Sequence, residues 1–487
     1  MPMARIRHSM NKMPRYGLDS RESWLTAALC GLLLLLCFST IGVSGVFFYG
    51  IVETFGTTRQ EASWPVTLNC GLVLLAGPIM GFLSERYSCR NVLLGCSLVS
   101  GLAVSSCFFA QGVACITFLF GIVHGTTLSG FYVSANVLVA QHFEKRRVTA
   151  SSLAYTTGGF YSVVFPALAE LFRNTYGTRG AFLLYGAVLM NAVPLSIMLR
   201  SSPSKSVQPG KDEVEILHPR QCRGPFCAVR ECTTVTSSLG LNHSVEQIRF
   251  DGESSEAESD DVVCVTRPRA GSFEARPTGD KAPGVFEDAR RAIRPFLTSA
   301  FWITTLSFSV ISAAVFLFVM ISVDLATDRG VSTVDATHIL QVFSVTDIAM
   351  RPLTGLAVDF KFISLEAVMI LGFLLQSAAF ELLAWYGSFH MMVLASALMG
   401  VTCGSRIPLQ APFLAKDFGV EKIPVLMGVS SFCMGVVSLL RPPFVGYFRD
   451  TTGSYTGLLH AVAIVNAILV AVWAVRLLQT RRKRRCL

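Results

Sequence analysis

The chain has 487 residues, 52% of them hydrophobic and only 15% charged, whereas soluble globular proteins carry roughly 25% charged residues. The deficit is also local: no Asp, Glu, Lys or Arg occurs between Glu22 and Glu53, between Arg90 and Glu144, or between Asp450 and Arg476. About 20 such residues cross a bilayer, so the composition points to a polytopic membrane protein and excludes a soluble enzyme, a secreted disulfide scaffold and a nucleic-acid binder, even at a net charge of +9.

Taken in chain order, hydrophobic runs bounded by charge, Pro and Gly predict six spans, at about 25–50, 64–83, 91–110, 113–139, 149–170 and 181–199. Six more follow, at about 296–323, 336–358, 363–386, 389–414, 424–446 and 456–478. The expected fold is an all-α membrane protein with 12 helices in two six-helix halves, 25–200 and 296–478. A segment 1–24 precedes them and a basic tail 479–487 follows. Residues 201–295 are rich in Ser, Pro, Gly and mixed charge, with the acidic stretch Glu253 to Asp261. They cannot bury enough apolar surface to fold alone and read as a disordered linker.

The basic residues set the orientation. With the N-terminus inside, one side holds Arg5, Arg7, Lys12, Arg15, Arg21, Arg86, Arg90, Lys145, Arg146, Arg147, Lys361, Lys416, Lys422 and the run Arg481 to Arg485. The other holds Arg59, Arg173, Arg179, Arg329 and Arg449, a ratio of 18 to 5 that places both termini and the linker in the cytoplasm. The first run has no small-residue cleavage site and reads as a true span. The single N-x-S/T sequon, Asn242-His243-Ser244, then lies on the cytoplasmic side and is expected to stay unglycosylated. Ser255, followed by acidic residues, suits an acid-directed kinase, although a solvated linker run is the commoner meaning. The tail is a topology anchor that also attracts anionic lipid.

Most of the 14 Cys fall in apolar runs, where Cys behaves as a small hydrophobe. Cys222, Cys227 and Cys232 are spaced more widely than structural zinc sites prefer, so no metal is expected. No G-x-x-x-x-G-K-[ST], H-E-x-x-H or G-x-S-x-G occurs, and neither a cofactor nor enzymatic chemistry is expected.

After span 2 comes Gly81-Phe82-Leu83-Ser84-Glu85-Arg86-Tyr87-Ser88-Cys89-Arg90. It resembles the major facilitator signature G-x-L-[AS]-[DE]-R-x-x-x-R, in which Gly lets two helices approach and an acid–base cluster latches neighbours. The blander reading is a charged turn. Two six-span halves around a long linker fit the same superfamily, whose halves rock about a midplane site. Further segments sharpen the resemblance. Asp19 and Trp24 sit where the monocarboxylate transporter family has an acidic-Gly-Gly-Trp-Gly-Trp motif, of which only the Asp and final Trp are kept. Gly45-Val46-Phe47-Phe48, Trp64, Gly77-Pro78 and Cys89-Arg90-Asn91-Val92 follow with that family's spacing. His142-Phe143-Glu144-Lys145-Arg146-Arg147 resembles its segment before span 5, and Tyr176-Gly177-Thr178-Arg179-Gly180-Ala181-Phe182 its turn before span 6. Arg441-Pro442-Pro443 with Gly446, Asp450, Gly453 and Tyr455 resembles its exit from span 11. In order and spacing the chain resembles that family across both halves.

Span 8 carries the chemistry: Asp347-Ile348-Ala349-Met350-Arg351-Pro352. A charged residue mid-membrane costs roughly 2.5–3.5 kcal/mol on insertion scales, and positions four apart share a helix face. Asp347 and Arg351 can therefore neutralise each other. The resemblance implies that Arg351 anchors a substrate carboxylate, for which its planar fork is suited, while Asp347 competes for it and releases it on taking a proton. The alternative is a permanent structural salt bridge. The resemblance also implies a lysine in span 1 of proton-coupled members, four residues before the Val-Phe-Phe triplet. This chain has Gly42 there, which puts proton coupling in doubt.

Other intramembrane groups leave two readings each. Arg406 in span 10 is a second anion contact in the same cavity or an interhelical bond. Arg441 in span 11 closes a gate or is structural, the latter favoured. His124 relays protons or is a hydrogen-bonded interface residue, the latter favoured. Glu381, before Trp385 and Tyr386, is expected near the outer interface without a specific task, and Gln376 and Asn136 read as helix-to-helix bonds. The expected activity is alternating-access transport of monocarboxylates or related organic anions, most simply at the plasma membrane, and the alternative is a non-transporting sensor on a transporter fold. The resemblance also brings in protons and a single-span immunoglobulin-like glycoprotein as candidate partners.

Overall fold

The computed structural model describes residues 17–200, 294–451 and 453–485. The Cys222–Cys227–Cys232 run, Asn242 and Ser255 lie outside the described residues, as does nearly all of the segment expected to be a linker. The described residues are helical, with no strand among them.

Local signals account for where the helices begin and end. Span 1, Arg21–Phe55, starts at Ser20, whose hydroxyl accepts the Ser23 N–H at 3.2 Å, and stops at Gly56 with φ 59°. Span 2 opens with a reciprocal cap: Thr58 accepts the Glu61 N–H at 3.2 Å and donates its own N–H to Glu61 at 3.3 Å. Such caps contribute about 1 kcal/mol. The span then bends by 50° between Arg59–Leu75 and Gly77–Tyr87, where Pro78 lacks the N–H that would continue the ladder. Spans 3 and 4 are Cys89–Phe109 and Val113–His142, the latter opening through a π-helical stretch at Thr117–His124. The helical run Arg147–Met198 is 52 residues long, too long for one crossing. It divides into spans 5 and 6 at Gly177, whose φ of 71° suits a residue without a Cβ.

The second half repeats the plan with Ser299–Asp328, Thr333–Asp359, Leu365–Trp385, Phe389–Phe418, Val420–Arg449 and Thr456–Arg485 as spans 7 to 12. Span 8 carries Asp335, Asp347, Arg351 and Asp359. Span 10 breaks at Ile407–Leu409, beside Pro408. The last helix continues to Arg485, so the described tail residues extend span 12. With Arg147–Met198 divided at Gly177 and the charge-bearing span 8 counted, the described helices are consistent with the twelve hydrophobic runs.

The turns after spans 2, 4, 8 and 10 share one end of the bundle, hereafter the basic face. An apolar cluster around Phe47, Phe120, Phe182 and Tyr185 fills the first half, with Phe47 stacked on Phe182 at 4.2 Å. The same cluster runs on into Leu414, Ile423, Leu426 and Met427 of the second half. Small residues permit the backbone approach that membrane helices need: a Cβ on Gly81 would lie 2.5 Å from the Pro424 carbonyl oxygen of span 11. The two halves are thus closed against each other at the basic face.

Candidate functional site

Arg351 lies between the two halves. Its Nη2 donates to Asp347 Oδ2 at 2.5 Å one turn away, and its Nη1 donates to the backbone carbonyl of Tyr155 in span 5. A guanidinium from the second half therefore reaches the first. Two glycines make this possible. A Cβ on Gly159 would lie 2.7 Å from Arg351 Nη1, and one on Gly404 would lie 3.0 Å from the Asp347 carbonyl carbon. Pro352 removes the N–H that would bond to the Ile348 carbonyl, loosening the helix beside the charge. Both side chains are nearly buried, yet Arg351 Nε and Asp347 Oδ1 have no hydrogen-bond partner. The pair thus keeps one spare donor and one spare acceptor. Tyr161 has Arg351, Asp347, Cys403 and Cys70 as electrostatic neighbours. Its ring also closes on Gly42, where a Cβ would lie 3.3 Å from the ring and 3.4 Å from Pro166.

The structure does not bring Arg406 to this pair. Its Nε donates to the Thr402 carbonyl at 2.9 Å and its Nη2 to Gln376 of span 9 at 2.7 Å, with the guanidinium 4.7 Å from the Phe373 ring centroid. It is fully buried. The break at Ile407–Leu409 and the missing side chain of Gly372 let it turn toward span 9, where it makes an interhelical bond to Gln376. Gln376 makes the helix-to-helix bond expected of it, whereas Asn136 donates to the Tyr132 carbonyl of its own helix at 2.7 Å.

At the basic face, Gly81 makes the close approach its motif implies, while Glu85 and Arg86 are exposed. Arg90 donates to the Ile197 carbonyl at 2.8 Å, tying span 3 to the end of span 6. Asp19 receives the backbone N–H groups of Glu144, Lys145 and Arg146 at 3.2, 3.0 and 3.1 Å, and Trp24 meets the Phe143 ring edge-on at 4.9 Å. Arg147 donates to the Ala140 and Phe143 carbonyls at 3.0 and 2.9 Å, closing the end of span 4.

Residues that the sequence reading passed over also bridge the halves here. Asp359 accepts the Thr149 N–H at 2.7 Å at the start of span 5, where the helix dipole favours an anion. Thr149 Oγ1 donates to the Gly355 carbonyl at 3.0 Å, and Tyr132 donates to Gln410 at 2.9 Å. The signal was present: Gly355-x-x-x-Asp359 ends span 8 as Gly81-x-x-x-Glu85 ends span 2, a repeat of spacing between corresponding helices of the two halves. A second overlooked group is His460, which pairs with Glu381 at 3.0 Å while Trp385 donates to the same carboxylate at 3.0 Å. Glu381 is therefore engaged between spans 9 and 12.

The sequence profile of the Major Facilitator Superfamily matches residues 28–359 and 297–485, essentially the whole described chain. The chain belongs to that superfamily. Its curated relatives include human monocarboxylate transporter 14, 23% identical and covering 96% of this chain and 94% of the relative. Chicken (Gallus gallus) monocarboxylate transporter 9 is 21% identical, with 90% and 89% covered. Among solved structures, the E. coli fucose:proton symporter matches with a TM-score of 0.63 at 12% identity, covering 93% of this chain and 98% of that one. The human organic anion transporter MFSD10 matches with a TM-score of 0.58 at 13% identity, covering 93% and 99%. The family resemblance read from the motifs is thus shown over most of the chain, and a membrane transporter is the function these relatives support.

Proposed function

We propose that this superfamily member carries monocarboxylates or related organic anions by alternating access, with Arg351 as the carboxylate anchor. The observation that carries the reading is the pair of exchangeable partners on Arg351, a carboxylate from its own helix and a carbonyl from the opposite half. An incoming carboxylate offers the same acceptor geometry in bidentate form, so it can replace the Tyr155 carbonyl and draw the fork away from Asp347. Asp347, freed, takes a proton. The basic face is cytoplasmic in this reading, with both termini inside a plasma-membrane carrier, and closure at that face corresponds to access from outside. Gly81, Glu85, Arg86, Arg90 and the Lys145–Arg146–Arg147 run belong to the latch that opens when the halves rock.

Proton coupling through a span 1 lysine is unsupported, since Gly42 leaves no room that Tyr161 and Pro166 do not already fill. Asp347 is then the leading candidate for any coupling. A single-span immunoglobulin-like partner enters only through the family resemblance, and coexpression with surface counting tests it.

The deciding experiment is saturable uptake of labelled lactate, pyruvate and larger aromatic carboxylates at two external pH values, beside Arg351→Ala. Saturation that disappears in Arg351→Ala, counted per molecule at the surface, and stays absent when Arg351→Gln is combined with Asp347→Asn is the expected result. Normal surface expression with no uptake of any substrate would move the chain to the sensor reading.

A further inference from the structure

Arg441 in span 11 is an intramembrane arginine that neither the anchor nor the latch uses. It is half-buried, its Nε has no hydrogen-bond partner, and among the described residues no carboxylate pairs with it. Its guanidinium lies 5.2 Å from the centroid of the Phe316 ring of span 7, and its electrostatic neighbour is Cys70 of span 2. This contrasts with Arg351, which is masked by Asp347.

Its height in the bundle follows from helix rise. Arg441 lies eighteen residues from the basic-face start of span 11 at Ile423, about 27 Å of helix, whereas Arg351 lies eight residues from the basic-face end of span 8 at Asp359, about 12 Å. Between the two levels, Gly435 still packs on Leu74 and Leu75 of the first half, a Cβ there falling 3.1 Å from the Leu74 Cβ. Beyond it, spans 2 and 11 present Cys70 and Arg441 to each other. Cys70 is exposed, and it is also a neighbour of Tyr161, which borders Arg351 and Asp347. It therefore lies on the path between the halves.

We propose that Arg441, with the Phe316 ring beside it, is an anion-capture point at the mouth of the carrier, where a monocarboxylate docks before it reaches Arg351. The inference rests on the substrate class and orientation proposed above. An unpaired cation on a low-dielectric wall concentrates anions and raises their association rate, and the ring suits the apolar body of an aromatic carboxylate.

Cys70 reports on this site without any need for transport. Intact cells expressing the full chain with Cys115→Ser, which removes an exposed thiol near the same face, are treated with membrane-impermeant methanethiosulfonates carrying a sulfonate or a trimethylammonium group. Labelling is assigned to Cys70 by its loss in Cys70→Ser. The anionic reagent is expected to react faster than the cationic one, by about tenfold in their rate ratio, with the preference lost in Arg441→Gln and kept in Arg441→Lys. Millimolar benzoate should slow labelling and neutral benzamide should not, and Arg441→Gln should remove the protection. In uptake, Arg441→Gln should raise KM several-fold and leave the maximal rate unchanged. No labelling by either reagent, a charge preference that survives Arg441→Gln, or benzamide protecting as well as benzoate would each overturn the proposal. Full uptake in Arg351→Ala alongside the expected Cys70 pattern would overturn the anchor reading and leave the capture point standing.

Discussion

In the first half, the fully buried His124 is held between Ser100 at 2.8 Å and Thr40 at 3.0 Å. From Thr40 the chain of bonds passes to Tyr185 at 2.8 Å and on to Ser39 at 2.8 Å. It links spans 1, 3, 4 and 6 through groups that hold no opposing charges. The second half buries Asp347, Arg351 and Arg406 and leaves Arg441 half-buried. A network whose members satisfy one another has nothing to release to a ligand. A buried ion pair with one spare donor and one spare acceptor does. The difference teaches that the first half supplies wall and frame, while the second carries the buried charges, among them the proposed anion anchor.

The largest effect expected from breaking this division comes from Arg351→Gln. Removing one member of a buried pair costs about 3–5 kcal/mol, so both surface expression and uptake should collapse. Arg351→Gln combined with Asp347→Asn should recover surface expression, counted by an external epitope, and recover no uptake. Recovery of uptake in the double variant would break the comparison. Next in size is Gly81→Leu, which forces a side chain into the Pro424 carbonyl. Uptake is expected to fall about tenfold, since overpacking costs typically 1–3 kcal/mol, with labelling of Cys70 from outside reduced in parallel. His124→Ala leaves Ser100 and Thr40 short of a partner and should cost about 1–3 kcal/mol. The expected reading is a lower Tm in detergent with KM and the pH profile of uptake unchanged; a flattened pH profile would make His124 a relay. The smallest effect belongs to Arg406→Met with Gln376→Leu, because replacing a buried polar cluster by apolar residues of similar volume is often neutral. Unchanged KM would sharpen the contrast with Arg351, and a rise beyond threefold would return Arg406 to the anion path.

Arg351 and Asp347 were legible in the sequence because charge is rare inside spans and four-residue spacing fixes a shared face. The turn at Gly177 was expected through the family resemblance, whereas the bends at Pro78 and Pro408 obey local backbone rules that the sequence reading did not apply to place them. Arg406 shows what was not legible. Its depth could be read, but its direction depends on how span 10 breaks at Ile407–Leu409 and on the gap left by Gly372, which only packing decides. The Asp359–Thr149 contact was within reach through the repeated Gly-x-x-x-acid spacing. The Glu381–His460 pair was not, since nothing in spans 9 and 12 alone marks which faces meet.

The Tyr155 carbonyl on Arg351 bears on the kinetics of the cycle. It is a bond between the halves, so each passage from one access state to the other must break it. An empty carrier then leaves a guanidinium hydrogen bare in an apolar setting, whereas a bound carboxylate already occupies the fork. With Arg351 as the proposed anchor, reorientation of the empty carrier is expected to be the slow limb. Labelled substrate is expected to leave faster when unlabelled substrate waits on the opposite side, so exchange should outrun net flux.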